Sequence, residues 1–188
     1  MPYELKSARF LARDALRQAV KPGDTVVDAT MGNGHDTLFL AEQVGAQGRV
    51  FAFDIQEDAV ESTRKLLEEH RLADRVTLIC RSHADLAEAV PRNLAAAVFN
   101  LGWLPGGDHR ITTCCASTKK AVLGALDCLK PGGIVTVCAY PGHEEGSREL
   151  EMLVRLLSEL SNRAYNVLRQ TFLNAGAGAP ECFIIQKL

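Results

Sequence analysis

Two acids and two glycines, Asp28, Gly32, Gly34 and Asp54, have the types and spacing to hold a nucleotide-like cofactor. Val26 to Thr37, VVDATMGNGHDT, reads as a buried strand that breaks into a glycine turn and opens a helix. Gly32 and Gly34 lack the Cβ that would hold a ligand off the backbone, and free N–H groups at the helix start would face it. Asp28 puts a carboxylate at the strand's end, a place usually acidic in enzymes that use S-adenosylmethionine (SAM). Asp54 ends the next apolar run, Arg49 to Gln56, about 20 residues beyond the glycines, where a carboxylate can accept both hydroxyls of a ribose. The same glycines approximate a dinucleotide fingerprint with Thr37 where a third small residue would stand. Asp28 and that missing residue favour SAM over NAD; a structural turn without a cofactor is the remaining alternative.

Ligands of doubly wound sheets lie across the carboxyl ends of the strands, so the other loops on that edge hold the remaining candidates. Asn33 and Asp36 flank the glycine turn, and Asp36 could meet the cofactor's ammonium group or favour the helix start. Ile55 and Gln56 follow Asp54, where an apolar residue can pack on adenine. Ser82 and His83, in CRSHAD, could contact the adenine edge, with Ser82 also readable as a helix cap partnered by Asp85. The fourth loop, Asn100 to Thr113, NLGWLPGGDHRITT, contains the only tryptophan. A strand ending in Asn100 and followed by an aromatic and Pro105 resembles the (N/D)PPY loop of amino-group methyltransferases, with different letters. A carbonyl oxygen there would accept hydrogen bonds from an amine and aim its lone pair at a methyl donor. Trp103 could stack on a nucleobase or pack under a Gly/Pro turn. The fifth loop, AYPGHEEG, offers Tyr140 and His143. Asp108, His143 or water could take the proton that an ammonium must lose before it attacks.

The elements that must position these groups alternate along the chain. Strands are expected near Thr25 to Ala29, Val50 to Asp54, Val76 to Arg81, Ala96 to Leu101 and Gly133 to Tyr140. Helices are expected near Asp36 to Val44, Glu57 to His70, Ser82 to Ala89, Ser117 to Leu129 and Gly146 to Asn162. That is the pattern of a parallel sheet covered by helices on both faces. Two last strands, Tyr165 to Phe172 and Cys182 to Lys187, have only NAGAGAPE between them and should form an antiparallel hairpin. The expected fold is therefore α/β, a class I SAM-dependent methyltransferase (Rossmann-like) plan with a seven-stranded, mainly parallel sheet. Residues 1–188 read as one domain.

A formal net charge of −2 excludes a strongly basic nucleic-acid binder of the histone kind, although a local basic face remains open to RNA. Six cysteines without a CxxC pair or zinc spacing suit a reducing cytoplasm; Cys80 and Cys138 read as small core residues. No metal site is expected. The N-terminal residues are charged throughout, unlike a signal peptide, and no run approaches a membrane span. A helix near Ser7 to Val20 aligns Arg9, Arg13 and Arg17 on one face, with Lys6 before it. That stripe is either a solvated face or a phosphate-contacting one.

DATMGNGHDTLFLA, FDIQ, the SHAD segment, FNLGWLPGGDH and YPGHEEG together resemble the YtqB-like family, which bears the label rRNA methylase and whose members are associated with MnmM activity. The resemblance covers essentially the whole chain. It implies SAM-dependent N-methylation of 5-aminomethyl-(2-thio)uridine at the tRNA wobble position, giving the 5-methylaminomethyl form. It also implies a SAM site of Asn33, Asp36, Asp54, Gln56, Ser82 and His83, shaped by Asp28, Gly32 and Gly34. The substrate side would use Asn100, Trp103, Asp108, Tyr140 and His143. The anticodon arm would then be held by the rims of these loops and by surface bases such as Arg110, Lys119, Lys120 and Arg148, a surface that a second copy of the chain would extend. Thr30 departs from the first glycine of many class I enzymes. Competing functions are a small-molecule amine or catechol methyltransferase and a non-catalytic SAM-binding regulatory module.

Overall fold

The computed structural model describes residues 7–188; residues 1–6, Lys6 among them, lie outside the described residues. Five strands run parallel: β1 (Thr25–Asp28), β2 (Arg49–Asp54), β3 (Val76–Cys80), β4 (Leu94–Asn100) and β5 (Leu129–Ala139). A further strand, β7 (Glu181–Lys187), lies antiparallel between β5 and β6 (Tyr165–Gln170), giving the order β3-β2-β1-β4-β5-β7-β6. This is the expected seven-stranded class I plan with its terminal hairpin. The order reverses between β1 and β4, and their carboxyl ends, Asp28 and Asn100, open on that crevice.

Central strands read as unbroken apolar runs because helices cover both faces. Val26 and Val27 of β1 and Ala95 to Phe99 of β4 are all buried. One face packs under α1 (Ala8–Ala19), α2 (His35–Val44) and α3 (Glu57–Glu69), through Leu16, Leu40 and Leu67. The other packs under α4 (Leu86–Ala89), α5 (Cys115–Cys128) and α6 (Glu144–Ser158), through Leu86, Leu126 and Leu153. α1 begins where the Ser7 hydroxyl accepts the Phe10 N–H at 3.2 Å. Its stripe of Ala8, Ala12 and Leu16 is small enough at one end to let the helix settle over Cys138 and Cys182.

Several boundaries differ from the expected ones for local reasons. The helix expected over Ser82 to Ala89 divides into a 3-10 turn, His83–Asp85, followed by the four-residue α4. α6 starts before Gly146 because His143 is its cap, Nδ1 accepting the Gly146 N–H at 3.2 Å. β5 reaches back to Leu129, since a register shift beside Leu94 lets Leu129 pair there before Ile134 pairs with Ala96. Cys138 is buried as expected, but Cys80 is exposed, because β3 is an edge strand.

Gly34 is the N-cap of α2 at φ +81°, and a Cβ there would stand 2.9–3.0 Å from Thr63 atoms. Gly34→Ala is expected to cost roughly 1–3 kcal/mol from the positive φ and the collision together. Urea denaturation should show a lower midpoint at constant slope; an unchanged midpoint would refute the steric account.

Candidate active site

The turn after β1 is built by hydrogen bonds from beneath. Asp28 is fully buried, its carboxyl accepting the Thr37 hydroxyl at 2.7 Å and the Thr30 N–H at 3.1 Å. It therefore ties strand end, turn and helix start together from below the surface rather than beside a ligand. Burial, with the Asp36 charge nearby, raises its pKa to about 7. Above it, the Gly32 N–H donates to Asp54 at 3.1 Å, and the Gln56 N–H donates to the other Asp54 oxygen at 3.0 Å. Thr63 of α3 donates to the Gly32 carbonyl at 3.0 Å. The Asp54 carboxylate is thus oriented by two backbone donors, and each oxygen retains acceptor capacity for a hydroxyl.

Around Asp54 the remaining groups suit an adenosyl ligand. Ile55 stands 57% exposed at the end of β2, an apolar surface free to meet a flat ring. Gln56 is the N-cap residue of α3 without a capping side-chain bond. Ser82 accepts the Ala84 N–H at 3.2 Å, so its cap role is observed, whereas its supposed partner Asp85 pairs with Arg81 and Lys120. His83 is buried, with Nδ1 3.2 Å from the Ala29 carbonyl. A carbonyl only accepts, so the proton sits on Nδ1 and Nε2 is an acceptor, without a partner among the described residues. Burial lowers the His83 pKa and keeps the ring neutral. Glycine cradle, oriented carboxylate, exposed isoleucine and unpaired imidazole nitrogen fit SAM.

Asp36 departs from the expectation that it meets an ammonium group. Only 5% exposed, it accepts from Arg9 Nε at 2.9 Å, Arg13 Nε at 2.6 Å and Asn100 Nδ2 at 2.6 Å. Its oxygens are occupied by this protein's own cations. The arginine stripe of α1 is correspondingly neither simply solvated nor wholly outward: Arg9 and Arg13 fold onto Asp36.

Asn100 is fixed at two atoms. Its N–H donates to the Thr30 hydroxyl at 2.8 Å, so the threonine standing in place of a first glycine positions the end of β4. Because a carboxylate only accepts, Asn100 must turn Nδ2 to Asp36, leaving Oδ1 as the free acceptor. Oδ1 is buried and has no partner among the described residues.

The loop after Asn100 is held at both ends. The Gly102 N–H donates to the Thr113 hydroxyl at 2.8 Å, and that hydroxyl in turn donates to Glu149 at 2.7 Å. Glu149, 1% exposed on α6, also accepts from Thr118 at 2.5 Å, and burial raises its pKa. At the loop's middle, Asn33 Nδ2 donates to the Pro105 carbonyl at 3.2 Å, joining the glycine turn to the loop across the crevice.

Other candidates lie elsewhere than expected. Asp108 and Arg110 pair with each other at 2.7 Å at the exposed loop surface, which holds the Asp108 carboxyl below the usual range. Both are engaged in shaping the loop tip, and Asp108 is not a poised base. Trp103 packs against two imidazoles, stacked on His109 at 4.4 Å and tilted against His143 at 4.5 Å between ring centroids. His143 Nδ1 receives the Gly146 N–H, so the neutral ring carries its proton on Nε2 and has no spare lone pair. That tautomer cannot act as the proton acceptor. Tyr140 is half-buried among Ala8, Cys138 and Cys182, and burial pushes its hydroxyl up to about 12, leaving it a neutral donor.

Sequence reasoning missed Thr30 as a positioning group, Thr63 and Glu149. For Glu149 a signal existed: it shares the buried stripe of α6 with Gly146, Leu153 and Leu157, where an acid has no reason to be unless it is bonded.

Residues 50–186 match the family described as "Putative rRNA methylase". A chloroplastic tRNA (mnm(5)s(2)U34)-methyltransferase of Arabidopsis thaliana is 40% identical over 79% of this chain, which spans 58% of that protein's length. A "putative rRNA-methylase" from Clostridium thermocellum superposes with a TM-score of 0.97 at 41% identity, covering 99% of this chain and 100% of that one. A "putative methyltransferase" from Streptococcus mutans, solved in complex with SAH, gives 0.90 at 33% identity over 98% and 100% of the two chains.

Since Asp28 is pushed up to about 7, the folded state holds a proton there that the unfolded chain has released. Stability from this group is greatest below about pH 4 and falls as pH rises toward 7, by roughly 2–4 kcal/mol. Thermal melts of Asp28→Asn across pH 4–8 should lose this descending component. A wild type as steep as the variant would disprove the shift.

Proposed function

The chain belongs to the rRNA-methylase family that its residues 50–186 match, and from that premise we propose that it is a SAM-dependent N-methyltransferase of tRNA. Its substrate in this reading is 5-aminomethyl-(2-thio)uridine at the wobble position, its product the 5-methylaminomethyl form, and its macromolecular partner the anticodon arm. The methyltransferase fold, the SAH-bound relative and the name of the 40% identical plant protein support it. The observation that carries it is the buried, unpaired Oδ1 of Asn100.

An acceptor of this kind selects an amine. An unpaired buried carbonyl oxygen costs about 1–3 kcal/mol until something donates to it. A primary amine can give Asn100 one N–H and still direct its lone pair elsewhere; a tertiary amine or an ether has no N–H to give. SAM supplies an electrophilic methyl on a sulfonium. The residues supply position: Gly32, Gly34 and Asp54 for the adenosyl part, Asn100 for the nucleophile's orientation. Thr30 and Asp36 hold Asn100 itself. Because Oδ1 is covered here, the 101–113 loop must shift for an amine to reach it, and the glycines at 102 and 106, at φ +109° and +84°, give it pivots. Six free thiols suit the cytoplasm as its compartment.

Purified protein with labelled SAM should methylate tRNA bearing the aminomethyl group in preference to a panel of small amines. Transfer to the small amines alone would overturn the tRNA reading; binding of SAM with no transfer to any acceptor would favour a regulatory module. Asn100→Ala should lower kcat on the order of 100-fold, as loss of one preorganised hydrogen bond does, with SAM affinity within about twofold. Equal kcat in the variant would remove Asn100 from the mechanism.

A further inference from the structure

Beside Asp36, α1 and α2 border an open groove of about 510 Å³ lined by Arg9, Arg13, Arg17, His35, Phe39 and Glu42, together with Leu38. Arg9 gives Asp36 only its Nε, and Arg13 gives Nε to Asp36 and one terminal nitrogen to the His35 carbonyl at 2.7 Å. Arg17 is exposed and pairs with no carboxylate among the described residues. The guanidinium carbons of Arg13 and Arg17 sit 5.2 and 5.3 Å from the Phe39 ring centroid, which holds both planes in place without using their N–H donors. Among the described residues, three arginines thus keep most of their donors unpaired, facing a single lining carboxylate, Glu42.

Other bases offered for RNA contact are already spent. Arg110 pairs with Asp108, Lys120 with Asp85 and Glu88, and Arg148 with Glu144 and Glu145; of that set only Lys119 has no carboxylate partner among the described residues. In a chain of net charge −2, the α1 groove is where arginines gather against few acids. SAM carries a carboxylate but no phosphate, so a phosphodiester held here belongs to the acceptor. The row from Arg9 to Arg17 runs about 12 Å along α1, a length suited to following a strand rather than gripping one small ion. Only Asp36 separates it from the amine acceptor Asn100.

We propose that the α1–α2 groove is a phosphodiester-binding site that holds the RNA strand beside the base being methylated, with Arg17 and Arg13 as its phosphate ligands. The identity of the strand rests on the tRNA reading above; the anion chemistry does not. Fluorescence anisotropy with a labelled anticodon stem-loop RNA, titrated at several salt concentrations, tests it on the whole protein. Arg17→Glu should weaken binding on the order of tenfold or more and lower the salt slope by about one, whereas Arg92→Ala, at the opposite ends of the strands, should change neither. SAM affinity of Arg17→Glu should match the wild type, which separates loss of a contact from loss of the fold. Unchanged RNA affinity and slope, a wild type that binds no RNA, or an Arg17-dependent site for inorganic phosphate that the RNA does not share would each overturn the proposal. Arg17-dependent RNA binding by a wild type that fails to methylate the tRNA would uphold this groove and refute the substrate assignment.

Discussion

The buried carboxylate of Asp36 is the contact on which the geometry of the crevice depends. A carboxylate at 5% exposure is tolerable only when its lost hydration is replaced, and here α1 supplies two guanidinium donors and β4 an amide. The partners come from two elements and Asp36 itself from a third, so one acid sets how α1 approaches α2 and which way Asn100 faces. Removing either arginine would leave charge buried with too few donors, and the amide's orientation would lose its reason.

Two other buried acids serve loops in a similar way. Asp28 binds the glycine turn to the start of α2 through Thr30 and Thr37, and Glu149 binds the ends of the acceptor loop and of α5 through Thr113 and Thr118. Apolar side chains in these places would cost less to bury. They could not fix a loop at a defined distance, because dispersion contacts have no direction and hydrogen bonds do.

What was legible in the sequence was what periodicity and local composition encode. Apolar runs gave the strands, their alternation with helices gave parallel pairing, and the short Gly-rich connection before Cys182 gave the hairpin. The glycine turn and its contact with Asp54 were legible because a tight turn and an acid at the end of the next strand recur at fixed spacing. Contacts between distant segments were not: Asp36 looked like a ligand for a cofactor because nothing in its neighbourhood announced Arg9 and Arg13, 27 and 23 residues earlier. His143 looked like a base because residue type does not reveal a tautomer, which here is set by one backbone N–H. Cys80 looked buried because edge and centre strands share a local pattern and differ only in their place in the sheet.

The bond from Asn33 to the Pro105 carbonyl joins the cofactor's turn to the acceptor's loop. Such a tie makes the two occupancies one thermodynamic problem. If Pro105 is drawn aside, Asn33 is released into the glycine turn, so a ligand at one segment and a ligand at the other would alter each other's affinity by the same factor.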